Sequence, residues 1–448
     1  MITRFPIKQL AASVASILQQ VLRVATCPKL LKRHFENPLY KNAYYLMANT
    51  MATSLLGFVF WMVVARFYSP TDVGLASAII AATGLLASLS NLGLGFGLIK
   101  FLPTAGGKTT RMINSCFTLS GLISLLATLI FLAGLDFWSP ALLPVREHPI
   151  FLFAFVIFTV AFTLSPLLDQ TFIAQRSAKF AFIKNVAAGV IKIPIPVVFA
   201  TFFGAFGIFA SAGLGVAAAT TVAALWLLPK IQRGYQPFPI LQKEVINDMV
   251  HYSLGNYSAQ LLWVAPSLVF PLMVVNILGA EANAHFYIAW MIAGLLMMIP
   301  NAISISLFAE GSYDEKGLLQ NTKRSLVLAL LLVLPAVLVV FALGSKLLLL
   351  FGETYSRNAT ALLWVLVLSA FPLSINYLYL SFCRVRKNIR RLIRISAVAS
   401  CLALGLSYPL MLRVGILGVG IGWTAAQSLV ALIIVFILFG NRHATSVA

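Results

Sequence analysis

Two ionisable side chains, Asp169 and Lys192, stand inside long apolar stretches of this chain. On insertion scales a charge at mid-bilayer costs about 2.5–3.5 kcal/mol, so each needs a partner or a task. One reading makes Lys192 an anchor for an anionic group of a bound molecule, with Asp169 tuning or releasing that group, or carrying a coupling proton or sodium ion. The other makes them an ion pair tying neighbouring segments, although helical rise separates them by about 10 Å in depth. His285 titrates near neutral pH and is a second coupling candidate, or else a hydrogen-bonded structural histidine. Arg66, where the first apolar stretch ends, either meets an anionic head group or snorkels to the interface. Asn256, Gln260, Asn276, Asn301 and Asn376 place amides in apolar runs, where they bind a ligand or a neighbouring helix. Pro194 and Pro196 follow Lys192, and Pro266 and Pro271 interrupt another run. Each removes a helical hydrogen bond, so the four are hinge candidates or fixed kinks that free carbonyls along a cavity.

No phosphate loop, zinc-ligand spacing or serine-nucleophile motif accompanies these groups, so no metal, cofactor or enzymatic chemistry is expected. Cys27, Cys116, Cys383 and Cys401 are scattered and suggest no disulfide framework. The glycines of SNLGLGFG and GVGIG lack a surrounding strand–helix alternation, so they read as close helix contacts rather than a nucleotide loop.

The elements that hold these residues are apolar helices. With 60% hydrophobic and 10% charged residues and a mean hydropathy of +0.94, most of the chain must face lipid. Stretches long enough to cross about 30 Å of hydrocarbon lie near 40–65, 72–99, 112–135, 150–174, 180–203, 206–229, 250–278, 284–308, 325–343, 359–382, 392–412 and 415–439. The net charge of +20 follows the gaps between them. Of the 32 Lys and Arg residues, 26 fall in alternate gaps and five (Arg66, Arg146, Lys346, Arg357, Arg413) in the others, with Lys192 inside a span. This positive-inside bias places both termini in the cytoplasm and argues against nucleic-acid binding. The densest basic cluster, from Arg384 to Arg394, suits anionic lipid or a protein partner. Ile7, Leu10, Val14, Leu18, Val21 and Leu22 form a helical stripe expected to lie on the inner membrane surface.

A shift of about 210 positions aligns the halves of the chain. WMVVARFYSPTDVGLASAII matches PLMVVNILGAEANAHFYIAW, FIAQRSAKFAFIKN matches SFCRVRKNIRRLIR, and GAFGIFASAG matches VGILGVGIGW. Six spans per half give the halves parallel orientation, with a pseudo-twofold axis along the membrane normal. The expected division is a tail over 1–38, bundles over 39–232 and 250–440, an exposed cytoplasmic linker over 233–249, and a short tail over 441–448.

The first-span exit ARFYSPTDVGLASAI, the glycine-rich SLSNLGLGFGLIKFLP and the Gln175-Arg176 turn resemble the polysaccharide and oligosaccharide-lipid flippases of the MOP superfamily, relatives of the MATE exporters. The likeness covers about residues 38–440. It implies an all-α membrane fold of about 12 helices in two six-helix bundles forming a V around an alternately opening cavity. It also implies transfer of a polyprenyl-diphosphate-linked saccharide from the cytoplasmic to the outer leaflet of the cell membrane, alongside glycan-assembly proteins. In that setting Lys192 would attract the diphosphate and the amides would meet sugar hydroxyls. Drug exporters of the superfamily commonly carry a buried carboxylate in a bundle's first span; 40–65 and 250–278 contain none. A cation-coupled drug or metabolite antiporter is therefore the first alternative. A membrane-embedded saccharide polymerase, for which the outer connections are short, and a membrane scaffold follow it.

Overall fold

The computed structural model describes residues 38–444 apart from 201, 314 and 316; the amphipathic stripe expected over 7–25 lies outside them. Among the described residues eleven helices are long and apolar enough to cross a membrane, and a pair bent by 41° makes a twelfth span when taken together. In chain order they are α1 (Pro38–Phe67), α2 (Pro70–Ser90), the short α3 (Leu94–Phe101), α4 (Thr109–Ala133), α5 (Pro149–Ala174), α6 (Ala178–Lys192), the short α7 (Ile195–Phe199) and α8 (Gly204–Val222). The second half contains α9 (Lys243–Ile277), α10 (Ala280–Tyr313), α11 (Leu318–Leu349), the bent pair α12 (Glu353–Leu368) and α13 (Ala370–Val385), α14 (Ile389–Val414) and α15 (Ile416–Ala444). The alternating path puts the basic connections at one end, here the basic end, and the other connections at the sparse end.

The spans correspond to the expected stretches, with three informative differences. The stretch 72–99 is broken at Asn91-Leu92-Gly93, where Leu92 and Gly93 adopt φ of 49° and 73°. A side chain at Gly93 would press on Tyr257 of α9, so the jog admits a crossing helix. The fifth span splits at Ile193–Pro194 into α6 and α7, as its prolines suggested. The seventh does not break: α9 runs through Pro266 and Pro271. Pro266 cannot donate to the Leu262 carbonyl, and the Ser400 hydroxyl of α14 donates to it instead. This substitute bond explains why the expected interruption is absent at that proline.

The corner between α1 and α2 shows what the SPTD motif does. The Ser69 hydroxyl accepts from the Asp72 backbone N–H at 3.1 Å and donates to the Asp72 carboxylate at 2.6 Å, with Pro70 in the first turn. Ser69 is thus the N-cap of α2. The other Asp72 oxygen accepts from the Ala205 N–H at 3.0 Å, tying the start of α8 to the corner. Tyr68 donates to the Pro196 carbonyl at 2.7 Å.

Corresponding turns recur 211 residues apart. Arg176 and Lys387 each have φ of 53°, and each precedes a residue whose N–H closes the helix end: Ser177 to Phe172 O at 2.8 Å and Asn388 to Cys383 O at 2.9 Å. Gly204, the first residue of α8, and Gly415, just before α15, both have positive φ. Within the first half α1 packs on α6, α6 on α8, and α8 on α5 and α2; in the second α10 packs on α12 and α13, and α14 on α15. The halves meet where α2 packs on α9 and α10, and where α3 packs on α9. Small residues make that approach possible. Gly74, Ala76, Ser77, Ala78, Ala81 and Ala82 are buried along α2, and a Cβ at Gly74 would overlap the Ala280 carbonyl and approach the Ala284 backbone. Gly74 and Ala284 are 210 residues apart, so positions matched by the repeat touch each other, as an axis between the halves requires.

Candidate substrate cavity and buried polar groups

Below this contact the halves separate around a cavity of about 350 Å³, walled by α2, α3, α5 and α9. Its polar lining is Ser88, Asn91, Gln170, Tyr257 and Gln260. Gly84 and Phe162 are shared with a second cavity of about 380 Å³, bounded also by Ser267, Tyr287, Trp290 and Met291. Both lie in the size range of small-molecule sites, roughly 300–1,000 Å³. None of the lining residues carries a charge at neutral pH. The space offers amides, hydroxyls and aromatic faces, suited to a neutral polyhydroxylated group. The Tyr257 hydroxyl is buried without a hydrogen-bond partner among the described residues, so it is available to a ligand. Pro166 sits in this wall and withholds a donor from the Phe162 carbonyl one turn earlier.

The sparse end is closed by contacts between the halves. Asn283 of α10 donates to the Gly74 carbonyl at 2.7 Å and to the Ser77 hydroxyl at 3.0 Å. Trp61 lies 4.6 Å from Tyr287 and Phe58 5.1 Å from Phe351, measured between ring centroids. Arg66 donates to the Leu350 and Leu349 carbonyls, each at 2.8 Å. It thereby caps the C-terminus of α11, where a cation complements the helix dipole. Asn276 donates to Ser139 at 2.9 Å and accepts from the Ala141 N–H at 3.1 Å, fastening the connection between α4 and α5 to α9. In that connection the Arg146 guanidinium, 2.6 Å from Asp136, holds the aspartate carboxyl below the usual range by hydrogen bonding. At the basic end α1 leaves α10: Met47, Met51 and Leu55 are exposed, and Ser54 touches Met298 at 3.6 Å higher up.

The linker is exposed over most of its length, as at Arg233, Gly234, Phe238 and Leu241, but it is tied down at a few points. Tyr235 is buried, its phenol pushed up to about 12 by desolvation. Asn114 donates to the Gln236 carbonyl at 2.8 Å, while Thr118 and Ser115 accept from the Ile240 and Gln242 N–H groups. Three polar side chains of α4 thus strap the linker to the first half.

Of the residues singled out by sequence, Gln260 lines the cavity. Asn256 precedes it by one turn on the same face of α9. Asn376 is fully buried elsewhere, donating to Gln427 at 2.8 and 3.0 Å between α13 and α15. Its geometry is that of a helix-to-helix tie. His285 is buried with its ring 5.3 Å from Tyr355, and its Nε2 has no partner among the described residues.

The Asp169–Lys192 alternative is corrected by the geometry. Asp169 pairs with Lys184 at 2.8 Å, and the Lys184 side chain is 1% exposed. Lys184 also donates to the Ser165 hydroxyl at 2.6 Å and carbonyl at 2.9 Å. Asn185 donates to Asp169 at 3.0 Å and to Asn49 of α1 at 3.2 Å, so α1, α5 and α6 share one polar knot. Lys192 stands eight residues beyond Lys184, about 12 Å by helical rise. Its ammonium lies 4.8 Å over the Phe60 ring, while its Cβ faces Gly215 of α8. It is absent from the lining of both cavities. Sequence reasoning missed Lys184 because the fifth span was begun at 180 and Lys184 counted with the basic gap. A depth match of Asp169 and Lys184, five and six residues from their helix ends, was the available signal.

Known proteins place this architecture. The family model described as "Polysaccharide biosynthesis protein" matches residues 39–309, and the MatE family model matches 259–409. The "Putative O-antigen transporter" of Shigella flexneri is 24% identical over 424 residues, covering 89% of this chain and 96% of that protein. "Stage V sporulation protein B" of Bacillus subtilis is 24% identical over 293 residues, 60% of this chain; the match spans 56% of that relative's length. Among solved structures, the inward closed conformation of the lipid II flippase MurJ superposes with a TM-score of 0.75 at 12% identity, covering 88% of this chain and 87% of that one. An inward-facing MATE multidrug transporter of the MOP superfamily gives 0.66 at 16% identity, covering 90% and 98%. With about three-fifths of its length matched by one family model, this multi-pass membrane chain belongs to the polysaccharide biosynthesis protein family, and it has the fold of the MATE and MurJ structures.

Proposed function

We propose that this protein is a flippase that carries a polyprenyl-diphosphate-linked saccharide from the cytoplasmic to the outer leaflet of the cell membrane by alternating access. The observation that carries the reading is the uncharged, amide- and aromatic-lined cavity between the halves, closed at the sparse end by Gly74, Ser77 and Asn283. Sugar hydroxyls suit Asn91, Gln170, Tyr257 and Gln260, while the polyprenol tail stays in lipid beside the exposed basic half of α1. The Shigella relative's name supports a saccharide-related cargo. A cationic drug would find no carboxylate in either lining, which weighs against the antiporter reading. The basic end is the cytoplasmic side by the positive-inside bias, with the bundles at 39–232 and 250–440 as the moving bodies and anionic lipid along the basic loops. An inside-negative potential favours outward movement of the diphosphate by about 2.3 kcal/mol per charge per 100 mV. Asp169 and His285 are retained as coupling candidates, and Lys192 and Arg66 as residues that meet the substrate in other states of the cycle.

The test is transport by the purified chain in proteoliposomes bearing a fluorescent lipid-diphosphate-linked oligosaccharide in one leaflet. Protein-dependent appearance of the sugar to a lectin on the other side supports the function. Equal rates in protein-free vesicles, or efflux of a cationic dye in place of saccharide transfer, would remove it.

A further inference from the structure

Both cavities are neutral, yet the proposed substrate carries a diphosphate, so the phosphates must be neutralised elsewhere. Of the helices walling the first cavity, α2 and α5 contain no Lys or Arg, α3 contains Lys100 and α9 contains Lys243 at its first position. Helix α3 runs toward the basic end: Gly93 meets Tyr257, and Gly97 meets Ser253 and Met249, successively earlier positions on α9. Phe96 lines the cavity, and Lys100 follows it by one turn on the same face. The Lys100 ammonium lies 3.5 Å over the ring of Tyr252, which shares a face of α9 with Asn256 and the cavity residue Gln260. Lys100 and Tyr252 are both exposed, and Lys100 forms no ion pair among the described residues. Lys243 is nine residues further out than Tyr252, about 13 Å by rise. Among the helices that wall this cavity, Lys100 is therefore the cation nearest its rim, spread on an aromatic ring contributed by the other half.

Resting on the flippase reading, we propose that Lys100, positioned over Tyr252, is the binding residue for the substrate's diphosphate, and that the head group enters sugar-first with its phosphates held at the cavity mouth. The arrangement spares the diphosphate the cost of burial in an uncharged mid-membrane space. It also gives sugar and phosphate separate sites, about two helical turns apart from Tyr252 to Gln260. Because Lys100 belongs to the first half and Tyr252 to the second, a bound diphosphate bridges the two bodies that must move.

The experiment uses the full chain in nanodiscs, with farnesyl diphosphate as a sugar-free probe and a lipid-diphosphate-linked oligosaccharide as the complete ligand. A charge-assisted contact supports an expected loss of about tenfold to a hundredfold in farnesyl diphosphate affinity for Lys100→Gln, with Lys100→Arg within about threefold of wild type. Gln170→Ala should leave farnesyl diphosphate affinity unchanged and weaken the oligosaccharide-bearing lipid. Wild-type affinity in folded Lys100→Gln overturns the assignment of the diphosphate while leaving the flippase reading standing. A wild-type chain that binds neither probe overturns both.

Discussion

Lys184→Met removes the ammonium from the polar knot of α1, α5 and α6 while leaving Asp169 in place. The ammonium has three acceptors within 2.9 Å and a side chain 1% exposed, so nothing from solvent replaces it. The remaining carboxylate keeps the Asn185 amide alone. Stranding one member of a buried pair costs about 3–5 kcal/mol, whereas replacing both members by apolar groups of similar volume is often neutral or stabilising. Asp169→Leu combined with Lys184→Met should therefore recover most of the loss, giving a coupling of several kcal/mol. Lys192→Met deletes a single cation–π contact with Phe60, of order 0.5–2 kcal/mol, so it should destabilise far less. The assay is reversible unfolding of the purified chain in mixed micelles, followed by circular dichroism for wild type, both singles and the double. A double variant as unstable as Lys184→Met, or equal losses for Lys184→Met and Lys192→Met, would refute this reasoning.

Other outcomes follow from named contacts. Gly74→Leu drives a side chain into the Ala280 carbonyl and should wedge the sparse end open, slowing disulfide formation between Cys substituted at 77 and 283 several-fold relative to the Gly74 parent. Ser400→Ala leaves the Leu262 carbonyl without the donor that compensates Pro266; a loss of about 1–3 kcal/mol in the same unfolding assay is expected. The Asp136 carboxyl is lowered by Arg146, so the pair's stabilisation is present above the unfolded carboxylate value of about 3.9 and lost as pH falls through the lower folded value. The melting-temperature gap between wild type and Asp136→Asn should thus be flat from about pH 5 to 8 and close only in stronger acid.

Hydrophobic length and charge alternation were sufficient to locate the spans, because lipid forces every backbone group into a helix. The SPTD corner and the Gln175-Arg176 turn were legible as motifs, and the match of FIAQRSAKFAFIKN with SFCRVRKNIRRLIR pointed to the segment that holds the Lys387 turn. What remained hidden depended on depth and facing. Lys184 looked like a loop cation because its helix starts two residues earlier than the apolar run, at Ala178. Asn376 and Gln260 are both amides in apolar runs, yet one ties α13 to α15 and the other faces the cavity, a distinction set by helix rotation. Proline content suggested an interruption that α9 does not have, because the compensating hydroxyl of Ser400 is distant in sequence. The neutral cavity was unexpected for a chain of net charge +20; those charges lie at the ends of the helices, outside the lining.

The central claim is that the lipid-linked saccharide crosses between the halves and that the closed sparse end must open. Ser77→Cys with Asn283→Cys, at positions whose side chains meet at 3.0 Å, should lock that end under oxidation. Reconstituted protein is predicted to stop transferring the fluorescent lipid-linked oligosaccharide when the disulfide forms and to resume on reduction. Undiminished transfer by the fully cross-linked protein would contradict the account.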